Sequence, residues 1–149
     1  MKMPDTCTAA VFEAPNKPMR LERFAVPREL PPGSAICRIR LSTICGSDLH
    51  TLRGRRIEPT PSILGHESVG EVVVVGAGAR YWNGDALEPG DRVSWTIMAS
   101  CGDCFFCKKD LPQKCVHLQK YGHSSTEVWP GLTGGYAEYI YLFPGTGIF

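Results

Sequence analysis

Four cysteines close together form the most specific chemical pattern in the sequence. They are Cys101, Cys104, Cys107 and Cys115, separated by gaps of two, two and seven residues. Four thiolates with this spacing can enclose a Zn²⁺ ion tetrahedrally at about 2.3 Å each, which leaves no position open for a substrate. A closed site of this kind is structural, so we expect it to fix a loop at about 99–118 that has little apolar material of its own.

Two other interpretations of the cysteine loop compete with structural zinc. An iron–sulfur cluster also takes four cysteines, and the spacing alone does not exclude one. Free or disulfide-linked thiols are disfavoured, because free thiols are rarely so dense and because charged residues interrupt the first thirty residues where a secretory signal would lie. No apolar run reaches the length of about 18 residues that spans a membrane. We therefore expect a reducing cytoplasm, where clustered cysteines are most often metal ligands.

A second set of potential metal ligands lies in two segments about twenty residues apart. Cys45 offers a thiolate, His66 an imidazole, and Glu67 a carboxylate directly after it. Each segment alone is weak evidence, because an isolated cysteine or histidine more often serves packing. Together the three residue types suit an open, catalytic zinc site. Zinc there lowers the pKa of a bound alcohol, and the alkoxide can then release a hydride.

Residues beside these ligands can orient a ligand and carry a proton away from the site. Asp48 can accept a hydrogen bond from the far nitrogen of a zinc-bound histidine and so orient the ring. Ser47 and His50 can form a hydroxyl–imidazole relay that carries a proton from a zinc-bound alcohol to solvent. The basic cluster at 53–56, Arg-Gly-Arg-Arg, follows this segment. A solvated loop is the favoured interpretation of it, and an anion site for a phosphorylated or phosphonate-bearing substrate is the functional alternative.

The elements that must position these residues are short β-strands. Alternating or β-branched segments predict strands at 8–13, 19–26, 35–44, 69–75, 92–97 and 136–142. One or two helical turns are expected at 45–52. Many short strands with little helix, together with 16 glycines and 12 prolines, predict a mainly β domain, as a compact barrel or sandwich. The glycine-rich stretch at 76–79 precedes no helical pattern, so it is not a nucleotide-binding loop.

Length and composition limit the remaining possibilities. A chain of 149 residues fits one domain, 1–149, and 43% hydrophobic with 21% charged residues is an ordinary globular balance. The net charge of +1 gives no reason to expect nucleic acid or an acidic membrane surface as a partner. Cys7 and Cys37, which belong to neither ligand set, are expected to be buried as small hydrophobic residues.

The motifs together resemble the zinc-containing medium-chain alcohol dehydrogenase family. Five motifs occur in the family's order, namely 45–50 (CGSDLH), 65–70 (GHExxG), 90–93 (GDRV), the cysteine loop and 134–139 (GGYAEY). They cover nearly the whole chain, and five in order are not chance. The resemblance implies a GroES-like, partly open barrel with short helices and a structural-zinc loop, which is the catalytic half of such enzymes. The segment around 53–56 also has some resemblance to the branch associated with phosphonate breakdown.

The resemblance implies a role for each candidate residue. Cys45 and His66 match the catalytic zinc ligands, and Glu67 matches the acid that can approach the metal during ligand exchange. The proton relay and the histidine orienter match Ser47, His50 and Asp48. The four residues of the cysteine loop match the structural zinc ligands, so two zinc sites are expected.

The resemblance stops at the end of this sequence, whereas the family's enzymes continue beyond the corresponding position. Their catalytic zinc takes a further protein ligand, and their NAD(P) binds a Rossmann domain, both of which would fall beyond Phe149. We therefore expect a truncated chain that is inactive alone. His117 and His123 are expected to be ordinary loop histidines, because nothing in their spacing links them to Cys45 and His66.

The leading hypothesis is the zinc-binding catalytic domain of an NAD(P)-dependent dehydrogenase that oxidises a small alcohol to an aldehyde or ketone. The alternative is a stand-alone, non-catalytic zinc-binding or assembly module. A zinc-free relative of the quinone-reductase type is disfavoured by the two ligand sets. The surface left open by the absent Rossmann domain is expected to be prone to association with other surfaces, which allows a homo-oligomer.

Overall fold

The computed structural model describes residues 3–149 and consists mainly of antiparallel strands. The nine strands within that range are β1 (Thr6–Phe12), β2 (Arg20–Ala25), β3 (Ala35–Ser42), β4 (Ser62–Ile63), β5 (Ser68–Val75), β6 (Arg92–Ala99), β7 (Gln119–Lys120), β8 (Tyr139–Leu142) and β9 (Thr146–Ile148). One α-helix, α1 (Gly46–Leu52), follows β3, and two single 3₁₀ turns lie at Cys107–Lys109 and Pro112–Lys114. The predicted mainly β class is confirmed.

The strands form two sheets that curl into a partly open barrel. The smaller sheet has the order β2-β1-β4, and the larger has the order β7-β6-β5-β3-β8 with β9 on β6. An isolated bridge between Ala9 and Ala137 joins the two. The register between β3 and β5 shifts twice, after Ile36 and after Ile39, and such irregularities bend a sheet.

The larger sheet has a hydrophobic cluster on each face. Ala35 and Cys37 of β3 belong to one cluster, whereas Ile36 between them belongs to the other. This alternation follows from the two-residue period of a strand. Cys7 and Cys37 are both buried in these clusters, as expected. Trp95 is also a core residue.

All six predicted strands are present, with boundaries that differ from the predicted ones by at most three residues. The last one starts at Tyr139 rather than at residue 136, because residues 134–138 are irregular backbone that bonds to residues 64–65 and to β1. The strands β4, β7 and β9 were not predicted, since two or three residues are too short to show a periodic pattern. Within residues 3–149, no helix combines the length and apolar character that crossing a membrane would need.

Candidate metal centres

The four loop cysteines converge on one point. Their Sγ atoms all lie within 4.8 Å of one another, and none of these cysteines is in a disulfide. The Sγ of Cys101 is 3.5 Å from that of Cys115 and 3.9 Å from that of Cys107, which is 3.5 Å from Cys104. A tetrahedron with Zn–S bonds of about 2.3 Å has S–S edges of about 3.8 Å. The cluster therefore already has the size of a tetrathiolate zinc site.

Backbone amides stabilise negative charge on this cluster. The N–H groups of Cys101 and His117 both donate to the Sγ of Cys115 at 3.3 Å, which lowers the pKa of that thiol. Backbone hydrogen bonds, first from Cys107, lower the pKa of Cys104 to about 6. The thiol of Cys101 instead donates to Asp103, which raises its pKa to about 12. Backbone N–H groups therefore favour the charged form of two of the four thiols, those of Cys104 and Cys115.

The second set of ligands meets at the carboxyl end of β3 and the start of β5. Cys45 directly precedes α1, and His66 with Glu67 lies between β4 and β5. The Sγ of Cys45, a ring nitrogen of His66 and a carboxylate oxygen of Glu67 lie within 4.8 Å of one another. Glu67 is exposed and is held by Thr43, whose hydroxyl donates to its Oε2 at 2.7 Å. The site is therefore open to solvent on the carboxylate side.

Asp48 lies behind His66 and is one of the few buried carboxylates. Its Oδ2 accepts hydrogen bonds from the backbone N–H of Cys45 and the hydroxyl of Tyr136, both at 2.9 Å. Its Oδ1 is 3.7 Å from Nδ1 of His66. Burial and then the neighbouring carboxylate raise the pKa of Tyr136, so the phenol keeps the proton that it donates. Asp48 thus faces Nδ1 of His66 and leaves Nε2 for a metal.

Ser47 and His50 of α1 are not paired in the structure. The Oγ of Ser47 is 3.4 Å from Nε2 of His66, so it lies on the metal side of that ring. The side chain of His50 is exposed one turn further along the helix. The geometry therefore places the hydroxyl at the candidate metal and the imidazole toward solvent, without a direct hydrogen bond between them.

Close backbone contacts fix the position of His66. A side chain on Gly134 would meet the carbonyl oxygen of Ile63 at 1.9 Å, and one on Gly65 would meet the ring of Tyr136 at 2.7 Å. The amide of Gly135 donates to Gly65, and that of Tyr136 donates to Leu64, at 2.8 and 3.0 Å. The segment 134–136 therefore lies flat against 63–65, and this contact requires glycine at both 65 and 134.

His123 is not the unconnected loop histidine that its spacing suggested. Its ring stacks on the ring of His66, with centroids 5.2 Å apart and planes inclined by 27°. Its Nδ1 is 2.9 Å from Oε1 of Glu58, which also pairs with Arg56 at 2.6 Å. Burial lowers the pKa of His123, against the opposing effect of Glu58. Arg56, one of the basic cluster at 53–56, is therefore paired with a buried carboxylate.

The residues present fit two zinc ions. The cysteine cluster has the dimensions of a closed tetrathiolate site, whereas the second group offers sulfur, nitrogen and oxygen with an open side. Nδ1 of His66 is buried without a hydrogen-bond partner in the described residues, 3.7 Å from Asp48. A proton on Nδ1, which metal binding at Nε2 requires, would face that carboxylate.

Residues 31–147 match the family model of the alcohol dehydrogenase GroES-like domain. The chain belongs to this family. A zinc-type alcohol dehydrogenase B of Aspergillus flavus is 34% identical over 89% of this chain and 28% of its own length. Among solved structures, an alcohol dehydrogenase of Thermotoga maritima is 36% identical with a TM-score of 0.86, covering 97% of this chain and 40% of that one. The predicted family is confirmed.

An acetophenone reductase of Geotrichum candidum solved with NAD is also similar to the chain. It is 28% identical with a TM-score of 0.75, over 95% of this chain and 39% of that one. The chain thus spans less than half the length of these three relatives. Their similarity confirms the GroES-like fold of an alcohol dehydrogenase domain, and it covers both candidate metal centres.

Three residues of the second centre were not predicted. Glu58 and His123 are 65 positions apart, and neither occurs in a motif that suggests their contact. Tyr136 is part of the GGYAEY motif, but the motif alone gives no role for its hydroxyl. The only signal that could have pointed to this role is the position of Tyr136, directly after two consecutive glycines and shortly before a strand.

Proposed function

We propose that this alcohol dehydrogenase GroES-like domain is the zinc-binding catalytic domain of an NAD(P)-dependent alcohol dehydrogenase. The observation that supports this most strongly is the group of Cys45, His66 and Glu67, with ligand atoms within 4.8 Å and one open side. Zinc bound there would act as a Lewis acid that lowers the pKa of an alcohol. The proposed substrate is a small alcohol that is oxidised to an aldehyde or ketone.

The chain's own residues have separate tasks in this proposal. Cys45 and His66 would hold the metal, with Glu67 beside them as an exchangeable carboxylate. Asp48 orients His66 through Nδ1. The hydroxyl of Ser47, 3.4 Å from Nε2 of His66, is placed to accept the hydroxyl proton of a bound alcohol while it passes its own proton outward.

The second half of the proposed relay needs a small movement. His50 lies one helical turn beyond Ser47 and is exposed, so it can exchange protons with solvent. A rotation of its side chain, or a bridging water, would connect it to the Ser47 hydroxyl. The cysteine loop at about 99–118 takes no part in this chemistry, and a zinc ion there holds the loop's fold.

The nicotinamide cofactor is assigned to a partner region. None of the described glycine-rich turns precedes a helix of the kind that binds a dinucleotide, and the one α-helix of residues 3–149 has seven residues. We propose that a separate nucleotide-binding domain supplies NAD(P) and a further zinc ligand. In this proposal the domain over 1–149 supplies the alcohol site.

Zinc content of the full chain tests the proposal. We expect two zinc ions per wild-type chain by elemental analysis, one of them easily removed by mild chelation. Cys45→Ser should lose only the labile ion, whereas Cys104→Ser should lose the tightly held one. NAD(P) reduction by alcohols, with a nucleotide-binding domain added, should then depend on Cys45. One zinc ion that Cys45→Ser does not affect would favour a non-catalytic zinc-binding module.

A further inference from the structure

The segment 121–123 packs directly on the metal-ligand segment. A Cβ on Gly122 would lie 2.8 Å from the carbonyl oxygen of Gly65 and 3.2 Å from its nitrogen. The residue after Gly122 is His123, whose ring consequently lies over the ring of His66. The stacked ring covers one face of His66 and so restricts rotation of that imidazole about its Cβ–Cγ bond.

His123 is itself held from the opposite side. Its Nδ1 donates to Oε1 of Glu58 at 2.9 Å, and the same oxygen accepts from Nε of Arg56 at 2.6 Å. The side chains of His123 and Glu58 are 9% and 7% exposed. A buried carboxylate with two charge-assisted partners has little freedom to move. Arg56, Glu58 and His123 therefore form a fixed support that ends at the face of His66.

We propose that His123 is a positioning residue for His66, oriented by Glu58, that holds the imidazole in its metal-binding rotamer. This inference rests on the proposed zinc site at Cys45 and His66. His123 is not itself in the group of atoms within mutual ligand distance. Its contribution is to reduce the rotational freedom that His66 would lose on binding metal, and stacking of the two rings adds to it.

Titration of the metal-free full chain with Co²⁺ tests the inference, because its visible absorption reports each site separately. The part of the spectrum that Cys45→Ser removes belongs to the second centre, and the remaining thiolate signal belongs to the cysteine loop. We expect His123→Ala to weaken Co²⁺ binding at the second centre about 3- to 10-fold, the worth of a stacked aromatic pair. Binding at the cysteine loop should stay unchanged.

Conservative variants separate positioning from general stability. His123→Phe keeps a ring on His66 and should restore most of the lost affinity. Glu58→Gln removes the charge that fixes His123 and should lower affinity by about 2- to 3-fold. His117→Phe is the matched control, since the side chain of His117 is exposed and belongs to the cysteine loop, and this variant should bind Co²⁺ at the second centre like the wild type.

Each outcome decides one of the two proposals. If the wild type has no absorption that depends on Cys45, the proposed zinc site is wrong and the inference fails with it. If that absorption is present but His123→Ala binds Co²⁺ as tightly as the wild type, or His123→Phe binds as weakly as His123→Ala, only the positioning role is wrong. The cysteine-loop signal reports folding in every variant. If His123→Ala loses it, the Glu58→Gln and His123→Phe titrations decide.

Discussion

Asp48 is the residue whose replacement tests the second metal centre most directly. Asp48→Asn keeps the size of the side chain but removes its charge. Two hydrogen bonds to the carboxylate, from Cys45 and Tyr136, then become neutral ones. A hydrogen bond to a charged group contributes about 1.5–3 kcal/mol and a neutral one about 0.5–1.5 kcal/mol, so the two losses together amount to about 2 kcal/mol. For a domain of this length, that lowers Tm by about 4–8 °C.

The same change weakens metal binding at His66. Nδ1 of His66 would face an amide in place of a carboxylate at 3.7 Å, and a side-chain N–H there would oppose the Nδ1 proton. Loss of such an outer partner typically reduces metal affinity 10- to 100-fold. Zinc affinity is measured by competition with a chromophoric chelator, and Tm by calorimetry of the metal-free chain. We expect the labile zinc to bind at least 10-fold more weakly and the cysteine-loop zinc to bind normally.

A matched surface change provides the control. Asp85→Asn alters an exposed aspartate whose side chain accepts a hydrogen bond from the nearby Asn83, so Tm and zinc affinity should both stay at wild-type values. The reasoning is refuted if Asp48→Asn keeps wild-type zinc affinity within twofold. A loss of zinc from the cysteine loop in Asp48→Asn would mean that the change acts through general unfolding and not through His66.

Three further predictions concern packing, the closed site and the buried thiols. Gly134→Ala should destabilise the domain by at least about 3 kcal/mol in urea unfolding, because the added Cβ would lie 1.9 Å from a backbone oxygen. Gly46→Ala is the control and should not destabilise the domain, because the space around Gly46 is open. Cys104→Ser should expose residues 99–118 to limited proteolysis while strands β1 to β3 stay resistant, and equal resistance to the wild type would argue against a structural zinc there. Burial raises the pKa of Cys7 to about 11 and of Cys37 to about 12, so neither should react with iodoacetamide at pH 8 in the folded chain. Because these folded-state values exceed the ordinary 9.0, stability should be unaffected by them below pH 9 and should fall above it, which urea titrations at pH 8 and pH 10 would detect.

The parts of the fold that could be predicted from sequence are those with local causes. The valine-rich run that became β5 and the alternation in β3 identify strands because each residue's burial depends on its own position in the pattern. The cysteine loop could also be predicted from sequence, since all four ligands lie within fifteen residues and their spacing alone limits the geometry of the site. Strands of two or three residues, such as β4 and β7, exist only because a partner strand is present, so no local sequence pattern predicts them.

The second centre was predictable only in part, for the same reason. Cys45, Asp48 and Ser47 are close in sequence, and His66 joins them through a recognised motif. The support on the far side of His66 comes from Glu58 and His123, which the sequence separates by 65 positions. No local sequence pattern links Glu58, which follows α1, to His123, which follows the cysteine loop. Their contact depends on where the chain returns after residue 118, and that is a property of the whole sheet.

This arrangement also gives a physical reason for the two proposed zinc sites to lie in one domain. The cysteine loop at 99–118 leads directly into Gly122 and His123, which pack on Gly65 and His66. A loop with few apolar residues cannot fix that return path by itself, whereas a closed tetrathiolate site can. Loss of the structural zinc should therefore loosen His123 first and lower metal affinity at Cys45 and His66 without any change to those ligands. Cys104→Ser, titrated with Co²⁺ and compared with His123→Ala, would show the same loss at the second centre if this coupling holds, and wild-type affinity there would refute it.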